Sequence, residues 1–273
     1  MPQDDARVRF SFPLQPTQLR FPGALVALEG VHYWYAGAKD NVLRGVDLTI
    51  HPRSRTGILG LNGAGKSTLV SLITSELPAG KKSGSIAHHP QLKIGIYSQT
   101  SFTTLELLST EEPDMTALRY IERSHPQLSE QESRGLLSGL GLPGKTASDV
   151  PVRALSGGQK VRVALANIFA VPPHLLVLDE VTTHLDADTI VAFAQELRRF
   201  EGAVLVVSHD RFFVRAVVNG EGMDGVVDDE EEADEGEAGV VYLMRKGALK
   251  KLEDGVEGYE RILMRKLDKA AGG

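Results

Sequence analysis

Gly60-Leu61-Asn62-Gly63-Ala64-Gly65-Lys66-Ser67 constrains this chain more than any other segment. It fits the pattern G-x-x-x-x-G-K-[ST], whose glycines let backbone N–H groups curl round phosphates, whose lysine reaches terminal phosphate oxygens and whose hydroxyl takes a place on Mg²⁺. Thr56 to Leu59 upstream reads as a buried strand. Ser67 to Thr74 downstream, with Thr68 at its start, reads as a helix whose N-terminus points at the anion. A strand, a glycine loop and a helix in that order predict an α/β fold with a parallel core sheet, and ATP as the ligand of the loop.

Such chemistry needs a carboxylate at the end of a second strand. Leu175-Leu176-Val177-Leu178 is a continuous apolar run, as a central parallel strand covered on both faces requires, and it ends in Asp179-Glu180. Asp179 is placed to hold Mg²⁺ through water. Glu180 is placed to accept a proton from the attacking water or to orient it.

Further motifs follow in a fixed order. Leu155-Ser156-Gly157-Gly158-Gln159 opens a helical stretch running through Phe169. Ser208-His209-Asp210 ends the apolar strand Ala203–Val207, and Gln99 follows the short strand Ile94–Tyr97. From about residue 25 to residue 259 the chain resembles one ATP-binding-cassette nucleotide-binding domain. That resemblance implies a P-loop NTPase with a parallel core sheet, an antiparallel β edge subdomain and a helical subdomain over about residues 100–160. It assigns the signature motif to Ser156, Gly157, Gly158 and Gln159, the Q-loop to Gln99, which also serves Mg²⁺ beside Ser67 and Asp179, and the switch histidine to His209. The loop His184-Leu185-Asp186 follows the acidic pair, and Tyr35 sits where the family stacks an aromatic on adenine. Glu180, Gln99 and His209 then poise the attacking water.

In this family the signature serves ATP held by a facing cassette. The signature turn is expected to lie about a domain's width from this chain's own phosphate loop, so the site is completed by a second cassette, in tandem or in a homodimer. The segments Leu155–Ala166, Leu178–Asp186 and Ser208–Phe213 are similar to the F subfamily, the translation-factor type that lacks a membrane domain. The resemblance therefore implies a ribosome-associated ATPase, with a transporter ATPase subunit and a weakly hydrolysing interaction module as the competing readings. Two positions depart from that subfamily: Val181 stands where proline is usual and Thr183 where asparagine is usual, and both flank Glu180.

Composition fits this picture. No apolar run approaches the roughly 20 residues a membrane span needs, and the polar start with Asp4-Asp5-Ala6-Arg7 does not read as a signal peptide, so a cytoplasmic location is expected. The chain holds no cysteine, which excludes disulfides and thiolate zinc sites. A net charge of −6 does not favour a generally nucleic-acid-binding surface. The acidic run Asp228–Glu237 is expected to be a disordered insertion within about 221–238. The basic residues Arg245, Lys246, Lys250, Lys251, Arg261, Arg265, Lys266 and Lys269 form a C-terminal segment that reads either as a solvated face or as a contact for ribosomal RNA phosphates.

Residues 1–23, with Pro2, Pro13, Pro16 and Pro22, read as a linker or tail, and 261–273 as a basic tail. The alternating stretches Ala24–Leu28, His32–Tyr35 and Val46–Ile50 predict the antiparallel edge sheet, and Asp114–Arg123 and Ser129–Leu140 predict helices. Trp34 reads as packing, and His88-His89 as a surface pair without a ligand triad.

Overall fold

The computed structural model describes residues 10–20, 22–221 and 239–271, with side chains to residue 265 in the last helix. In chain order the elements are β1 (Val26–Tyr35), β2 (Leu43–Ile50), β3 (Arg55–Leu59), α1 (Lys66–Ile73), β4 (Gly80–His88), β5 (Ile94–Tyr97) and α2 (Gln99–Glu111). There follow α3 (Ala117–Ser124), α4 (Glu130–Gly139), α5 (Gly144–Asp149), α6 (Gly157–Phe169), β6 (Leu175–Asp179), α7 (Ala187–Arg199), β7 (Ala203–Val207), α8 (Arg211–Asn219), β8 (Val240–Arg245), β9 (Ala248–Leu252) and α9 (Gly255–Ala271). Six strands form the central sheet in the order β5-β6-β7-β3-β8-β9. The first five are parallel, and β9 turns back antiparallel on β8.

The apolar runs of β6 and β7 are explained by where successive side chains go. Leu176, Leu178, Val204 and Val206 enter the core shared with α6, α7, α8 and the helical region, whereas Leu175, Val177, Ala203, Leu205 and Val207 enter the core beneath α1 and the smaller sheet. Successive residues of a strand face opposite sides, so a strand covered on both faces must be apolar throughout. As parallel neighbours the two strands finish at the same end of the sheet, where Asp179 is half-buried and Ser208, just beyond β7, is buried.

The antiparallel sheet has the order β2-β1-β4. The two expected stretches around residues 24–35 are one strand, β1, joined through register shifts near Glu29-Gly30. Its third member, β4, escaped sequence reading because Gly80-Lys81-Lys82-Ser83-Gly84-Ser85 is exposed and shows no apolar alternation. The helices expected at 114–123 and 129–140 are α3 and α4, α4 being opened by a reciprocal cap between Ser129 and Glu132.

Three expectations are corrected. The described part of the N-terminal tail is docked: Phe10 and Phe12 are buried, Phe12 stacks on Phe169 with ring centroids 3.8 Å apart, and Ser11 N–H donates to the Gly139 carbonyl at 2.7 Å. The prolines give this segment an extended path along the surface, and the phenyl rings give it somewhere to bury. His88-His89 is not a surface pair, because His89 is buried and the His88 ring is held 2.8 Å from the Ile73 carbonyl. The boundary at 260/261 has no structural counterpart, since α9 runs unbroken through it. The basic residues from Arg245 to Arg265 are spread over a hairpin and this helix, and the acidic run lies outside the described residues.

Candidate nucleotide site

The phosphate loop joins β3 to α1. Gly65 caps α1 with φ 107°, a conformation in which a side chain is strained, and it offers no capping side chain, so the first N–H groups of the helix stay open to an anion. Lys66 is 8 % exposed, and its Nζ donates to the Gly60 carbonyl at 2.8 Å and the Leu61 carbonyl at 3.4 Å. The loop thus folds its own ammonium group against its carbonyls.

In front of this loop lies a cavity of about 690 Å³, within the size range of small-molecule sites. Asn62, Gly63, Gly65, Lys66, Ser67 and Thr68 line one wall. Asp179, Glu180 and His209, delivered by the ends of β6 and β7, line another. Gln99 closes it from the start of α2. Gly60, Leu61 and Ala64 frame the loop from outside the lining, and Tyr35 also stands outside it, with its hydroxyl 2.8 Å from Thr68 Oγ1.

Glu180 holds the centre. Its backbone is left-handed at φ 55° and ψ 42°, with its N–H donating to the Val207 carbonyl at 2.9 Å. This places Oε2 2.7 Å from His209 Nδ1 and 3.3 Å from Ser208 Oγ, and Oε1 3.9 Å from Lys66 Nζ. A non-glycine residue in this region costs of order 1 kcal/mol or more and persists where neighbours hold it. The two departures from the F-subfamily pattern contribute here. Val181 is buried in the core, and Thr183 Oγ1 donates to the Glu180 carbonyl at 3.1 Å. Asp179, half-buried next to Glu180, has its pKa raised to about 6, by burial first and by the Glu180 charge second, with Lys66 opposing.

Sequence reasoning missed one wall of the cavity. Phe102, Thr103 and Glu106 line it together with Gln99, on one face of α2. The spacing from Gln99 is i, i+3, i+4, i+7, a signal available in the sequence once the helix start is known. Val42, between β1 and β2, also lines the cavity and carried no sequence signal.

The signature turn stands apart from the cavity. Ser156 caps α6: its Oγ accepts from Gln159 N–H at 3.2 Å, while Ser156 N–H donates to Gln159 Oε1 at 2.9 Å. Neither these residues nor Gly157 and Gly158 line the cavity. His184, which does line the cavity, packs 3.4 Å from where a Gly157 side chain would begin. His184 is in turn stacked on Phe102, with ring centroids 4.4 Å apart.

A model of the ABC transporter family matches residues 43–183. An uncharacterized ABC transporter ATP-binding protein of Schizosaccharomyces pombe is 36 % identical over 213 residues, which is 78 % of this chain and 27 % of that protein. "Probable ATP-binding protein YheS" of Escherichia coli K12 is 40 % identical over 216 residues, 79 % of this chain and 32 % of that one. ATP-binding cassette sub-family F member 3 of Mus musculus is 37 % identical over 199 residues, 72 % of this chain and 26 % of that one. The chain thus spans about a third or less of the length of these relatives. Among solved structures, a dimeric bacterial ABC transporter cassette superposes with a TM-score of 0.61 at 23 % identity, covering 84 % of this chain and 99 % of that one. Fold, motif order and these matches together show that the chain belongs to the ABC transporter family, as a cassette similar to members of sub-family F.

Proposed function

We propose that this cassette binds ATP with Mg²⁺ in the cavity before the phosphate loop and hydrolyses it once a second cassette closes over the γ-phosphate. The observation that carries this reading is the convergence of Lys66, Asp179, Glu180 and His209 on one cavity beside an uncapped helix N-terminus. Lys66 leaves its loop carbonyls for the β and γ oxygens, and the loop N–H groups from Gly60 to Thr68 surround the phosphates. The donors Ser67 Oγ, the Gln99 amide and the Asp179 carboxylate are all oxygens, which suits a hard cation that keeps several of its waters. When bound, Mg²⁺ neutralises charge developing on the phosphates. Glu180 takes or orients the proton of the attacking water, and His209 holds the carboxylate and meets the γ-phosphate. Tyr35 supplies the face for adenine.

Ser156, Gly157, Gly158 and Gln159 complete the site of the facing cassette, supplied in tandem or by a second copy. The likeness to sub-family F members supports a ribosome-associated, cytoplasmic role, in which the exposed Arg245, Lys246, Lys250, Lys251, Arg261 and Arg265 face RNA phosphates. No helix of the described residues is long and apolar enough to cross a membrane.

The test is a dilution series of ATPase activity combined with calorimetry. Activity should rise faster than linearly with protein, and Lys66→Ala should weaken ATP binding by about 10- to 100-fold through loss of charged hydrogen bonds. Turnover strictly linear in protein across the series would overturn the composite site. Unchanged ATP binding by Lys66→Ala would overturn the nucleotide site itself. Sedimentation with ribosomes that is nucleotide-dependent and salt-sensitive supports the RNA contact, and sedimentation apart from them refutes it.

A further inference from the structure

The hairpin of β8 and β9 touches the phosphate loop without itself lining the cavity. Gly247 N–H donates to the Ala64 carbonyl at 3.0 Å, and the Gly247 carbonyl accepts from Arg44 N–H at 2.8 Å. One turn residue therefore bonds both the phosphate loop and the segment after Val42, a residue of the cavity wall. Gly247 has φ 80°, and a side chain there would begin 2.2 Å from the Val42 carbonyl oxygen. Only glycine satisfies both the backbone conformation and the close approach. Met244, in the same hairpin and 1 % exposed, supports the loop at two more points. Its backbone carbonyl lies 2.5 Å from where a side chain on Gly60 would begin, and its Cε lies 3.0 Å from the corresponding point on Gly65.

We propose that the β8–β9 hairpin is a positioning element for nucleotide binding, with Gly247 and Met244 holding the phosphate loop and the Val42 wall in the register that receives the triphosphate. Neither residue lines the cavity, so both act through the loop. The physical basis is preorganisation: the loop binds phosphates by several N–H groups at once, and each must point at one centre before the ligand arrives. A loop fixed only at its two ends, by β3 and α1, would lose that alignment. The hairpin adds a third fixed point at Ala64, next to the Gly65 cap of α1. This inference rests on the reading of the loop as an ATP site.

The experiment measures ATP affinity, turnover at saturating ATP and amide exchange in Gly247→Ala and Met244→Ala, with Lys66→Ala as reference. Gly247→Ala is expected to raise the ATP Kd about tenfold or more, and Met244→Ala about threefold, because small displacements of binding groups weaken multi-point contacts. Turnover at saturating ATP should stay within about twofold. Exchange should quicken at the amides of Ala64, Gly65 and Lys66 while β6 and β7 keep their protection, which a merely structural role would not produce. If Gly247→Ala does not fold, Met244→Ala decides. Unchanged ATP affinity in folded variants, or affinity lost only together with protection of β6 and β7, would overturn the proposal. If Lys66→Ala loses affinity and the hairpin variants do not, the hairpin inference alone fails. If Lys66→Ala also binds as the original chain does, the ATP-site reading fails.

Discussion

Two helix N-termini in this molecule carry glycines, before α1 and in the first turn of α6, and they are finished in opposite ways. At α1 the cap is Gly65, with no side chain to bond the first amides, and the nearest cation, Lys66, is tucked against the Gly60 carbonyl. At α6 the cap is Ser156, and its reciprocal bonds with Gln159 satisfy both residues on the surface. The first terminus is left open and set in a cavity. The second has one of its first amides, Gln159 N–H, taken by its own cap, an interaction worth about 0.5–2 kcal/mol. The difference is one of finish and place: the α1 terminus has no capping side chain and opens on the cavity, whereas the α6 terminus carries its own cap and lies outside the cavity lining.

The largest effect should come from freezing the proposed state in which two such termini hold one triphosphate. Glu180→Gln removes the charge that faces His209 Nδ1 and Lys66 Nζ. Turnover should fall by about 10²–10⁴, the usual contribution of a proton-accepting side chain. ATP affinity should persist, and a closed pair should accumulate in size-exclusion chromatography. Wild-type turnover in single-turnover assays would remove Glu180 from its assigned role.

Breaking only the closed terminus should cost less. Ser156→Arg deletes the α6 cap, with an expected stability loss of about 1 kcal/mol read in urea unfolding. It should abolish the concentration-dependent part of ATP hydrolysis while ATP binding by calorimetry stays as it was. A variant that keeps the cooperative component would make the two termini equivalent after all.

The smallest effect is a pH dependence confined to the open terminus. The Asp179 carboxyl has its pKa raised from the ordinary 3.8 to about 6 by burial and by Glu180. A raised folded pKa stabilises the fold below the unfolded value, and that contribution is lost as pH rises through about 6. Metal binding needs the carboxylate, so affinity for Mg²⁺ with nucleotide should climb with pH up to about 6 and then level. Thermal unfolding with and without Mg·ADP between pH 5 and 7.5 should therefore show opposite slopes at its acid end. Asp179→Asn should flatten both, and parallel slopes in the unaltered chain would contradict the assignment.

What the sequence made legible was chemistry contiguous along the chain. The loop at Gly60–Ser67, the run into Asp179-Glu180, the turn at Ser156 and the strand into His209 each carry their own element boundaries, and each element stands where its residues point. What stayed hidden was contact made across the chain. β4 is exposed and pairs along its length with β1, so its lysines and serines show no burial pattern. Phe10 and Phe12 sit among prolines, which advertise a linker, and their partners Phe169 and Phe193 lie far along the sequence. The cavity wall at Phe102, Thr103 and Glu106 needed only the helix start at Gln99 to be legible, whereas Val42 needed the fold itself.

The docking of the N-terminal segment also sets a timetable for folding. Ser11 bonds Gly139, Phe10 meets Phe193, and the Leu14 carbonyl accepts from Glu201 N–H at 2.9 Å. During synthesis at roughly 5–20 residues per second, Phe10 and Phe12 emerge before the residues they dock on and have nowhere to settle until α7 and the turn into β7 have followed them out. The two phenylalanines therefore stay without partners until α7 has been made, and the segment docks only after the helices it packs against.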